Sequence, residues 1–351
     1  MFGLSQLGLG QISPDRTTLL DQDIPEASGI AKRNDTLWII NDGGSPPQLF
    51  LYGLKGDFLG SVALSGVGNV DWEAISWQGD SVLWIADFGN NANSRKNLKF
   101  YSVRNLNLEN ASFDLDSLTF TYTNQSAFPP QISDLHFDAE AFVLKNDSIL
   151  IFTKNRSNPY NGFCYVHYLP AENGDFKTFL LDSVFTGQGP KELNWITDAS
   201  YAMDELWLLS HGYVLRFSNF TSARFSSPDK LIFDAFSQKE GVAYFSPILY
   251  VVDEVNYIFP GGNLYEYKVE FSSSIPRSTY NQLGIKLNNC KISLTDKTKS
   301  ATFYNLKGQK IASLNHEVKS LFLPNLPKLM IVQYQQNNAY INQKIHNPCL
   351  K

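Results

Sequence analysis

The sequence is poor in charged residues, in long apolar runs and in cysteine, and each shortage narrows the kind of protein that it encodes. Only 18% of the 351 residues are charged, the net charge is −5, and no run of lysine or arginine is present. We therefore expect no nucleic-acid partner, because phosphates would be repelled rather than attracted. No stretch of about 20 apolar residues occurs, so we expect no transmembrane segment.

The few cysteines also limit the kinds of site that the chain can form. Cys164, Cys290 and Cys349 form no CxxC pair and no His-rich cluster, which argues against a structural zinc site. Either Cys290 and Cys349 pair in an exported protein, or all three are buried thiols. No GxSxG elbow, HExxH pair or P-loop is present. The first ten residues lack the basic region and the apolar length of a signal peptide, so no signal peptide is visible in this chain.

What the sequence does contain is a motif that recurs five times. Each copy begins at an acidic residue or a serine and ends 13 or 14 residues later at a polar residue that closes a Trp- or Ile-rich run. The copies span residues 28–42, 73–87, 140–154, 198–211 and 240–253. Repeats of this regularity, about 40 to 70 residues apart, indicate a propeller, a solenoid or an array.

The content of each copy favours a propeller among these three. Two apolar runs of strand length flank a turn such as Gln78-Gly79-Asp80, which is typical of a β-hairpin. Further apolar runs follow each hairpin, so each copy supplies about four strands, as one propeller blade does. We predict an all-β fold with a five-bladed β-propeller, in which the strand near residues 17–20 closes the last blade. Six blades remain an alternative, since residues 100–138 and 212–237 are long enough to contain further strands.

A change of composition near residue 273 indicates a second domain. The Ser- and Pro-rich segment at residues 273–282 predicts a linker, and short apolar runs follow it. We therefore predict a propeller over residues 1–272 and a small β-sandwich over residues 283–351.

The C-terminal region resembles the sorting domain of cargo for the type IX secretion system of Bacteroidota. The resemblance rests on the turn at residues 304–311, the Leu323-Pro324 step, the strand at residues 330–333 and the ending at residues 343–345. It departs from that pattern at Pro327-Lys328, where a glycine is usual, and in the six residues that follow Ile345. The resemblance implies a secreted or surface-attached protein with the type IX secretion machinery as a partner; a plain accessory sandwich is the alternative.

The propeller region resembles the SdiA-regulated, esterase-like phytase group of β-propellers. The matching stretches are residues 26–30, 37–42, 59–62, 71–75, 138–142 and 153–156, and the likeness covers about residues 20–270. These short motifs specify a fold better than a reaction, and a fold does not supply a function by itself.

The hairpins place acidic residues together, because the start of a first strand lies beside the end of its partner. Strand alternation also places Glu26 with Ser28, Asp71 with Glu73, and Asp138 with Glu140. The expected result is a carboxylate-rich channel mouth, formed by Glu26, Asp42, Asp71, Glu73, Asp87, Asp138, Glu140, Asp198, Glu240 and Asp253.

Such a group of like charges needs compensation. The first hypothesis is a hard cation, Ca²⁺, bound by these carboxylates with neutral oxygens from Asn41, Asn90 and Asn91. The second is internal neutralisation by cations of the same loops, namely Arg95, Lys154, Arg156 and Lys239. The third is that the acidic residues accept hydrogen bonds from backbone N–H groups between blades and take no part in chemistry.

Two functions follow from these alternatives. One is a metal-assisted hydrolase of phosphoesters or lactones, in which His211, expected at the position of Asp42, Asp87 and Asp253 in other copies, moves the proton. The other is a non-catalytic propeller that binds a small molecule, a glycan, a peptide or a protein at the channel mouth. We expect a monomer in either case.

Overall fold

The computed structural model describes residues 9–220, 225, 228–255, 261–269, 285–288, 291–294, 300–304, 309–315, 320–322, 329–336 and 339–346. The chain divides into two compact units, Met1–Val269 and Glu270–Lys351. The predicted linker and the Cys290–Cys349 pair lie outside the described residues.

The first unit is built from antiparallel sheets that follow the sequence repeats. Two short strands come first, β1 (Leu9–Ile12) and β2 (Arg16–Leu19). The first repeat forms one sheet of β3 (Ala27–Arg33), β4 (Thr36–Asn41), β5 (Gln48–Gly53) and β6 (Phe58–Ala63). The second repeat contains β7 (Trp72–Gln78), β8 (Val82–Asp87), β9 (Leu98–Asn107) and β10 (Ser112–Tyr122).

The remaining three repeats continue this pattern. The third contains β11 (Ala139–Lys145), β12 (Ser148–Thr153), β13 (Phe163–Pro170) and β14 (Gly174–Phe185). The fourth contains β15 (Asp198–Ala202), β16 (Glu205–Ser210), β17 (Tyr213–Phe217) and β18 (Asp229–Phe233). The fifth contains β19 (Lys239–Phe245), β20 (Ile248–Asp253) and β21 (Asn263–Lys268).

The N-terminal strands complete two of these sheets. β2 pairs antiparallel with β21, so the fifth repeat receives its fourth strand from the start of the chain, as the sequence predicted. β1 adds to the fourth repeat by pairing parallel with β18. A parallel pairing of β10 with β14 joins the second and third repeats into one eight-stranded sheet. The segments at residues 100–138 and 212–237 supply outer strands to these same sheets.

The first strands of the repeats contact one another in a closed ring. β3 lies against β7, β7 against β11, β11 against β15, β15 against β19, and β19 against β3. This is the arrangement of a β-propeller, in which the sheets radiate from a central channel. Two 3₁₀ helices, Ile132–Asp134 and Lys191–Leu193, are the helices found among the described residues. No described helix is long and apolar enough to cross a membrane.

The hydrophobic core lies between neighbouring sheets rather than on the central axis. One cluster joins the first and second repeats, for example Trp38 with Ile85, and another joins the second and third, for example Phe100 with Phe142. Each sheet is therefore covered on both faces, which explains why the second strands are continuously apolar instead of alternating. Residues 37–41 of β4 are all buried.

The second unit consists of two antiparallel sheets. β22 (Ile285–Asn288), β23 (Lys291–Leu294) and β26 (Ser320–Phe322) form one, in the order β22-β23-β26. β24 (Ala301–Tyr304), β25 (Lys310–Leu314), β27 (Leu329–Gln336) and β28 (Ala339–His346) form the other, in the order β25-β24-β27-β28. Ala301, Phe303 and Leu314 are buried in it.

Candidate channel-mouth site

A β-bulge recurs where the first strand of a repeat reaches the channel mouth. In β7, Trp72 pairs with Asp87 and Ala74 with Ala86, which leaves Glu73 as the extra residue. The same shift isolates Ser28, Glu140 and Glu240 in their strands, whereas β15 pairs Asp198 and Ala199 without a shift. A bulge redirects side chains and is enriched beside functional sites. Ser28, Glu73, Glu140 and Glu240 are therefore equivalent positions around one ring. In the fourth repeat this position is taken by Thr197, whose N–H donates to the carbonyl oxygen of Leu209, the residue that pairs with Asp198.

The residues that follow the bulge positions are small, because the first strands approach closely there. In the four repeats with an acidic or serine bulge residue they are Gly29, Ala74, Ala141 and Gly241. A Cβ atom on Gly29 would lie 3.0 Å from the Cα atom of Ala74. The close approach brings the bulge side chains of neighbouring repeats near one another.

The strand register corrects the predicted equivalence of the polar stops. Asp87 and Asp253 pair with the residues before the bulges, Trp72 and Lys239. Asp42 lies one residue further along its repeat, since its neighbour Asn41 takes the corresponding pairing with Ala27. The positions equivalent to Asp42 are Phe88, Lys154, His211 and Glu254. His211 therefore occupies the position of Asp42, as predicted, but not that of Asp87 or Asp253.

Three of the predicted ligands converge between the first and second repeats. One carboxylate oxygen from each of Asp42, Asp71 and Glu73 lies within 4.8 Å of the other two. Gly43 and Gly89 flank this group so closely that a Cβ atom at Gly43 would lie 2.5 Å from Oδ1 of Asp71, and one at Gly89 would collide with Asp71 and Glu73. Two oxygens bound to one Ca²⁺ are at most about 5 Å apart, at the usual distances of 2.3–2.6 Å. The three carboxylates thus fit a single Ca²⁺ ion.

The electrostatics of this cluster favour a proton or a cation. Burial raises the pKa of Asp42 to about 7, and the charges of Asp71 and Glu240 act in the same direction. Burial also raises the pKa of Glu73 well above its ordinary value, with Glu140, Asp42 and Asp71 adding to it. The side chain of Glu73 is 7% exposed. An ionised Glu73 therefore needs a positive partner that the described ion pairs do not supply.

Arg95 neutralises a neighbouring carboxylate. Its Nη2 lies 2.7 Å from Oδ1 of the fully buried Asp87, and its Nη1 donates to the carbonyl oxygen of Gly89. The distance from Nη1 to Oδ2 of Asp71 is 4.0 Å, so Arg95 reaches the cluster only at its edge. Among the described residues, Oδ2 of Asp87 is buried without a hydrogen-bond partner.

Lys154 and Arg156 neutralise the carboxylates of the third repeat. The ammonium group of Lys154 donates to Glu140, and the guanidinium group of Arg156 donates to Asp138. Arg156 Nη2 also lies 3.5 Å from Oε1 of Glu140. Both cations lie over the ring of Trp195, at 5.1 and 4.9 Å from its centroid. Burial would lower the pKa of Lys154, but Glu140 and the other nearby carboxylates raise it.

Other carboxylates accept hydrogen bonds from backbone N–H groups. Asp138 accepts from the N–H of Asn90 at 2.7 Å, and Asp198 accepts from the N–H of Val242 at 2.6 Å. Asp253 accepts from the N–H of Asn263 at 2.8 Å and from the hydroxyl of Tyr265 at 2.7 Å. Asp138 and Asp198 bridge neighbouring repeats, as the third hypothesis proposed for such residues.

Glu240 meets His211 on the far side of the mouth. Nδ1 of His211 is 3.8 Å from Oε1 of Glu240, which is too long for a hydrogen bond. Burial lowers the pKa of His211, with Glu240 opposing that effect. His211 therefore holds a neutral imidazole beside a carboxylate, and none of its described contacts is with Asp42, Asp71 or Glu73.

Two further predictions about this region are corrected. Lys239 does not neutralise the mouth, because its Nζ donates to the carbonyl oxygen of Ala235 at 3.0 Å and to Oγ of Ser237 at 2.7 Å. Glu26 and Ser28 do not act together: Glu26 is exposed, and the hydroxyl of Ser28 donates to the carbonyl oxygen of Trp72.

The asparagines differ in their availability as neutral ligands. Oδ1 of Asn90 accepts from the N–H of Arg95 at 2.9 Å, and Oδ1 of Asn91 accepts from Arg156. Oδ1 of Asn41 is buried without a hydrogen-bond partner among the described residues. An unsatisfied buried oxygen next to Asp42 is the kind of group that a water or a cation completes.

One acidic residue of the mouth was missed in the sequence. Glu254 occupies the position equivalent to Asp42, and burial raises its pKa to about 9, with Glu240 and Asp42 adding to the effect. Its carboxylate accepts from the side-chain amide of Gln238. The signal was present as the residue directly after the polar stop Asp253, but it depends on knowing that Asp253 pairs as Asn41 does.

Comparison with known proteins gives only distant likenesses. No protein-family model matches this chain, and no curated protein matches it. The glutaminyl cyclase of Myxococcus xanthus is similar in structure with a TM-score of 0.46 and 10% identity, over 74% of this chain and 97% of that one. The PQQ-bound aldose sugar dehydrogenase of Streptomyces coelicolor has a TM-score of 0.43 and 11% identity, over 73% and 100%. The Pan2 WD40 domain of Neurospora crassa has a TM-score of 0.35 and 10% identity, over 75% and 98%. Likeness at this level says nothing about what this chain binds or converts.

Proposed function

We propose that the first unit is a five-bladed β-propeller that binds one Ca²⁺ at Asp42, Asp71 and Glu73. The blade count is supported by the ring of five first strands and by β2, which completes the fifth sheet. In the described part of the chain, the segments that were long enough for a sixth blade provide outer strands instead.

The observation that carries the cation proposal is the convergence of three carboxylates that have one described cation at their edge, Arg95 at 4.0 Å from Asp71. Arg95 forms an ion pair with Asp87. Lys154 forms one with Glu140, and Arg156 forms one with Asp138. These pairs leave Asp42 and Glu73 without an ion pair in the described part of the chain. Ca²⁺ prefers carboxylate, amide and carbonyl oxygens, which this corner offers.

We propose metal-assisted hydrolysis of a phosphoester or a lactone as the activity, which the resemblance to esterase-like phytases also suggests. A bound divalent cation would polarise an oxygen of the substrate or activate a water molecule. Lys154 would attract a negative group of the substrate, because its charge acts on Glu73 of the cluster. His211 is neutral and mostly buried beside Glu240, which suits it to accept a proton.

A non-catalytic binding propeller is the second candidate, and the ion pairs favour it. The rim of the second and third repeats is closed by Asp87 with Arg95, by Asp138 with Arg156 and by Glu140 with Lys154. Such a closed rim suits recognition of a glycan, a peptide or a protein partner more than chemistry. In that case the cation would be structural.

A hydrolysis assay separates the two candidates. The full chain should be assayed with 4-nitrophenyl phosphate and with a chromogenic lactone, in Ca²⁺ and in EDTA. The hydrolase proposal expects turnover that EDTA abolishes and that Glu73→Gln lowers at least about tenfold, while the exposed control Asp57→Asn retains it. Calcium binding without turnover of either class would support the binding propeller.

We also propose that the second unit sorts the protein to the surface or the medium. The proposal rests on the resemblance to type IX sorting domains and on the compact strand-rich unit that this region forms. Residues 280–351, fused behind a periplasmic reporter with a signal peptide, should carry the reporter out of a Bacteroidota host. Retention in the periplasm of a host with an intact type IX system would contradict the proposal.

A further inference from the structure

A cavity of about 140 Å³ lies in the channel away from the acidic mouth. It is lined by residues 30–32 of β3, 75–77 of β7, 199–202 of β15 and 242–245 of β19. These residues come two to five positions after the bulge ring, so the cavity lies about 10 Å along the strands from that ring, at about 3.3 Å per residue. None of the carboxylates of the mouth contributes to it.

Four aromatic residues are among those that line the cavity, namely Trp77, Tyr201, Tyr244 and Phe245. Neighbouring rings hold two of them in place, since Trp38 packs edge-on against Trp77 at 5.3 Å between centroids and Trp207 packs on Tyr244 at 4.7 Å. The wall therefore presents fixed ring surfaces on which a planar group can stack.

The charge of this cavity is opposite to that of the mouth. Lys32 is the charged residue in the lining, and its Nζ lies 3.5 Å from the ring centroid of Phe245 and donates to the carbonyl oxygen of Asn34 at 2.5 Å. No described carboxylate lies within ion-pair distance of Lys32; Asp35 acts on it only at longer range. Arg33 adds a second positive charge nearby, because its guanidinium group lies 4.4 Å from the ring centroid of Trp77.

Hydroxyl groups complete the polar part of the wall. Ser76 and Ser200 both line the cavity. Oγ of Ser200 accepts from the N–H of Tyr244 at 2.9 Å, which leaves its own hydroxyl hydrogen available to donate. Cation and donor groups in one wall favour a ligand that accepts hydrogen bonds.

We propose that this cavity binds a small planar anion, an aromatic ring carrying a carboxylate, with the carboxylate at Lys32 and the ring between the aromatic side chains. A cavity of about 150 Å³ holds one benzene molecule, so this volume suits a single ring rather than a chain of rings. The ion pair with Lys32 would be partly buried and charge-assisted, so it would be stronger than a surface pair. The site is independent of the cation proposed at the mouth.

Three small aromatic ligands of similar shape and different charge test this assignment. The full chain should be titrated with benzoate, benzamide and benzylamine in a buffer without phosphate, and binding followed by calorimetry and by the fluorescence of the tryptophans. Benzoate should bind about tenfold or more tightly than benzamide, because the charge-assisted contact is lost in the amide. Benzylamine should bind least.

Variants locate the binding. Lys32→Met should lose the preference for benzoate, Lys32→Arg should keep it, and the exposed control Lys55→Met should match the wild type. Glu73→Gln should leave benzoate binding unchanged, which separates this site from the mouth. Equal affinity for benzoate and benzamide, no binding of benzoate at millimolar concentration, or a preference that survives Lys32→Met would each overturn the proposal.

Discussion

The ammonium group of Lys154 donates to the carboxylate of Glu140, and both side chains are buried at the centre of the channel mouth. This pair divides the acidic ring into two parts. On the side of the second and third repeats, Asp87, Asp138 and Glu140 each have a cationic partner. Between the first and second repeats, Asp42 and Glu73 have none among the described residues. The candidate cation site is therefore a part of the mouth that the described cations leave uncompensated; Glu240 and Glu254, which have no described ion pair with lysine or arginine, form another.

Removal of the cation of this pair should be costly. Lys154→Met leaves Glu140 buried without its partner, so we expect a loss of about 3–5 kcal/mol in the free energy of unfolding at pH 7. The loss should be smaller at pH 5, where an unpaired Glu140 takes up a proton more readily. Urea denaturation at both pH values measures it, with Lys55→Met as the control. Equal losses below about 1 kcal/mol at both pH values would contradict the pairing.

Two glutamates at equivalent ring positions should respond in opposite ways. Glu73→Gln removes a buried charge without a described ion pair, so it should raise the melting temperature in EDTA. Glu140→Gln removes the partner of Lys154 and should lower it, by a destabilisation of about 3 kcal/mol. Thermal melts of the two variants in EDTA provide the test. The division of the ring is wrong if both variants shift in the same direction.

The free energy of unfolding should increase with pH in the alkaline range, because Lys239 loses its proton more readily in the folded protein than in the unfolded chain. Burial lowers the pKa of this amine to about 8, whereas an unfolded lysine has a pKa of about 10.4. Between these values the unfolded chain binds more protons than the folded one, so stability rises with pH. We expect an increase of about 1 kcal/mol between pH 8 and 9.5, measured by urea denaturation. The increase should be absent in Lys239→Met, and its persistence there would assign it to another group.

Asp198 should act as an acceptor for backbone N–H groups rather than as a charge. Its carboxylate, in the fourth repeat, accepts a hydrogen bond from the N–H of Val242 in the fifth repeat. Burial raises the pKa of Asp198 well above the usual range. Asp198→Asn keeps an acceptor oxygen and should cost less than about 1 kcal/mol. Asp198→Ala leaves the N–H of Val242 unsatisfied and should cost about 1–3 kcal/mol. Equal effects of the two variants on the free energy of unfolding would indicate that the charge itself matters.

The fold was largely predictable because each repeat contains a β-hairpin that can be recognised from the local sequence. Apolar runs joined by Asn, Asp or Gly turns predict the strand pairs, and the start of the chain was correctly predicted to complete the last sheet. Asp71 lies near Glu73, as expected, although Asp71 precedes β7 and Glu73 is its bulge residue. These features depend on local sequence and strand geometry alone.

The assignment of roles within the mouth could not be predicted, because it depends on the strand register and on the length of each hairpin turn. The turn between β7 and β8 is one residue longer than that between β3 and β4, so Asp87 takes the position of Asn41 and not that of Asp42. Without that register, Glu254, which follows Asp253, was likewise not recognised as the counterpart of Asp42. A signal was available in the small residues after each bulge, such as Gly29 and Ala74, since only a close approach of strands requires them.

The choice of partner for each lysine likewise needs the tertiary structure. Lys154 and Lys239 both lie in channel-mouth segments, yet one is directed at Glu140 and the other at Ser237 and the carbonyl oxygen of Ala235. The sorting domain and the phytase-like group remain predictions from resemblance, and so does secretion.

Calorimetric titration of the EDTA-treated full chain with Ca²⁺ tests the cation site most directly. We predict one Ca²⁺ per chain, with binding lost in Asp42→Asn and Glu73→Gln and retained in the exposed control Asp57→Asn. At a hundredfold excess over Kd, Ca²⁺ should stabilise the wild type by about 2.7 kcal/mol and raise its melting temperature accordingly. No heat of binding at millimolar Ca²⁺, or binding that survives both substitutions, would contradict the account.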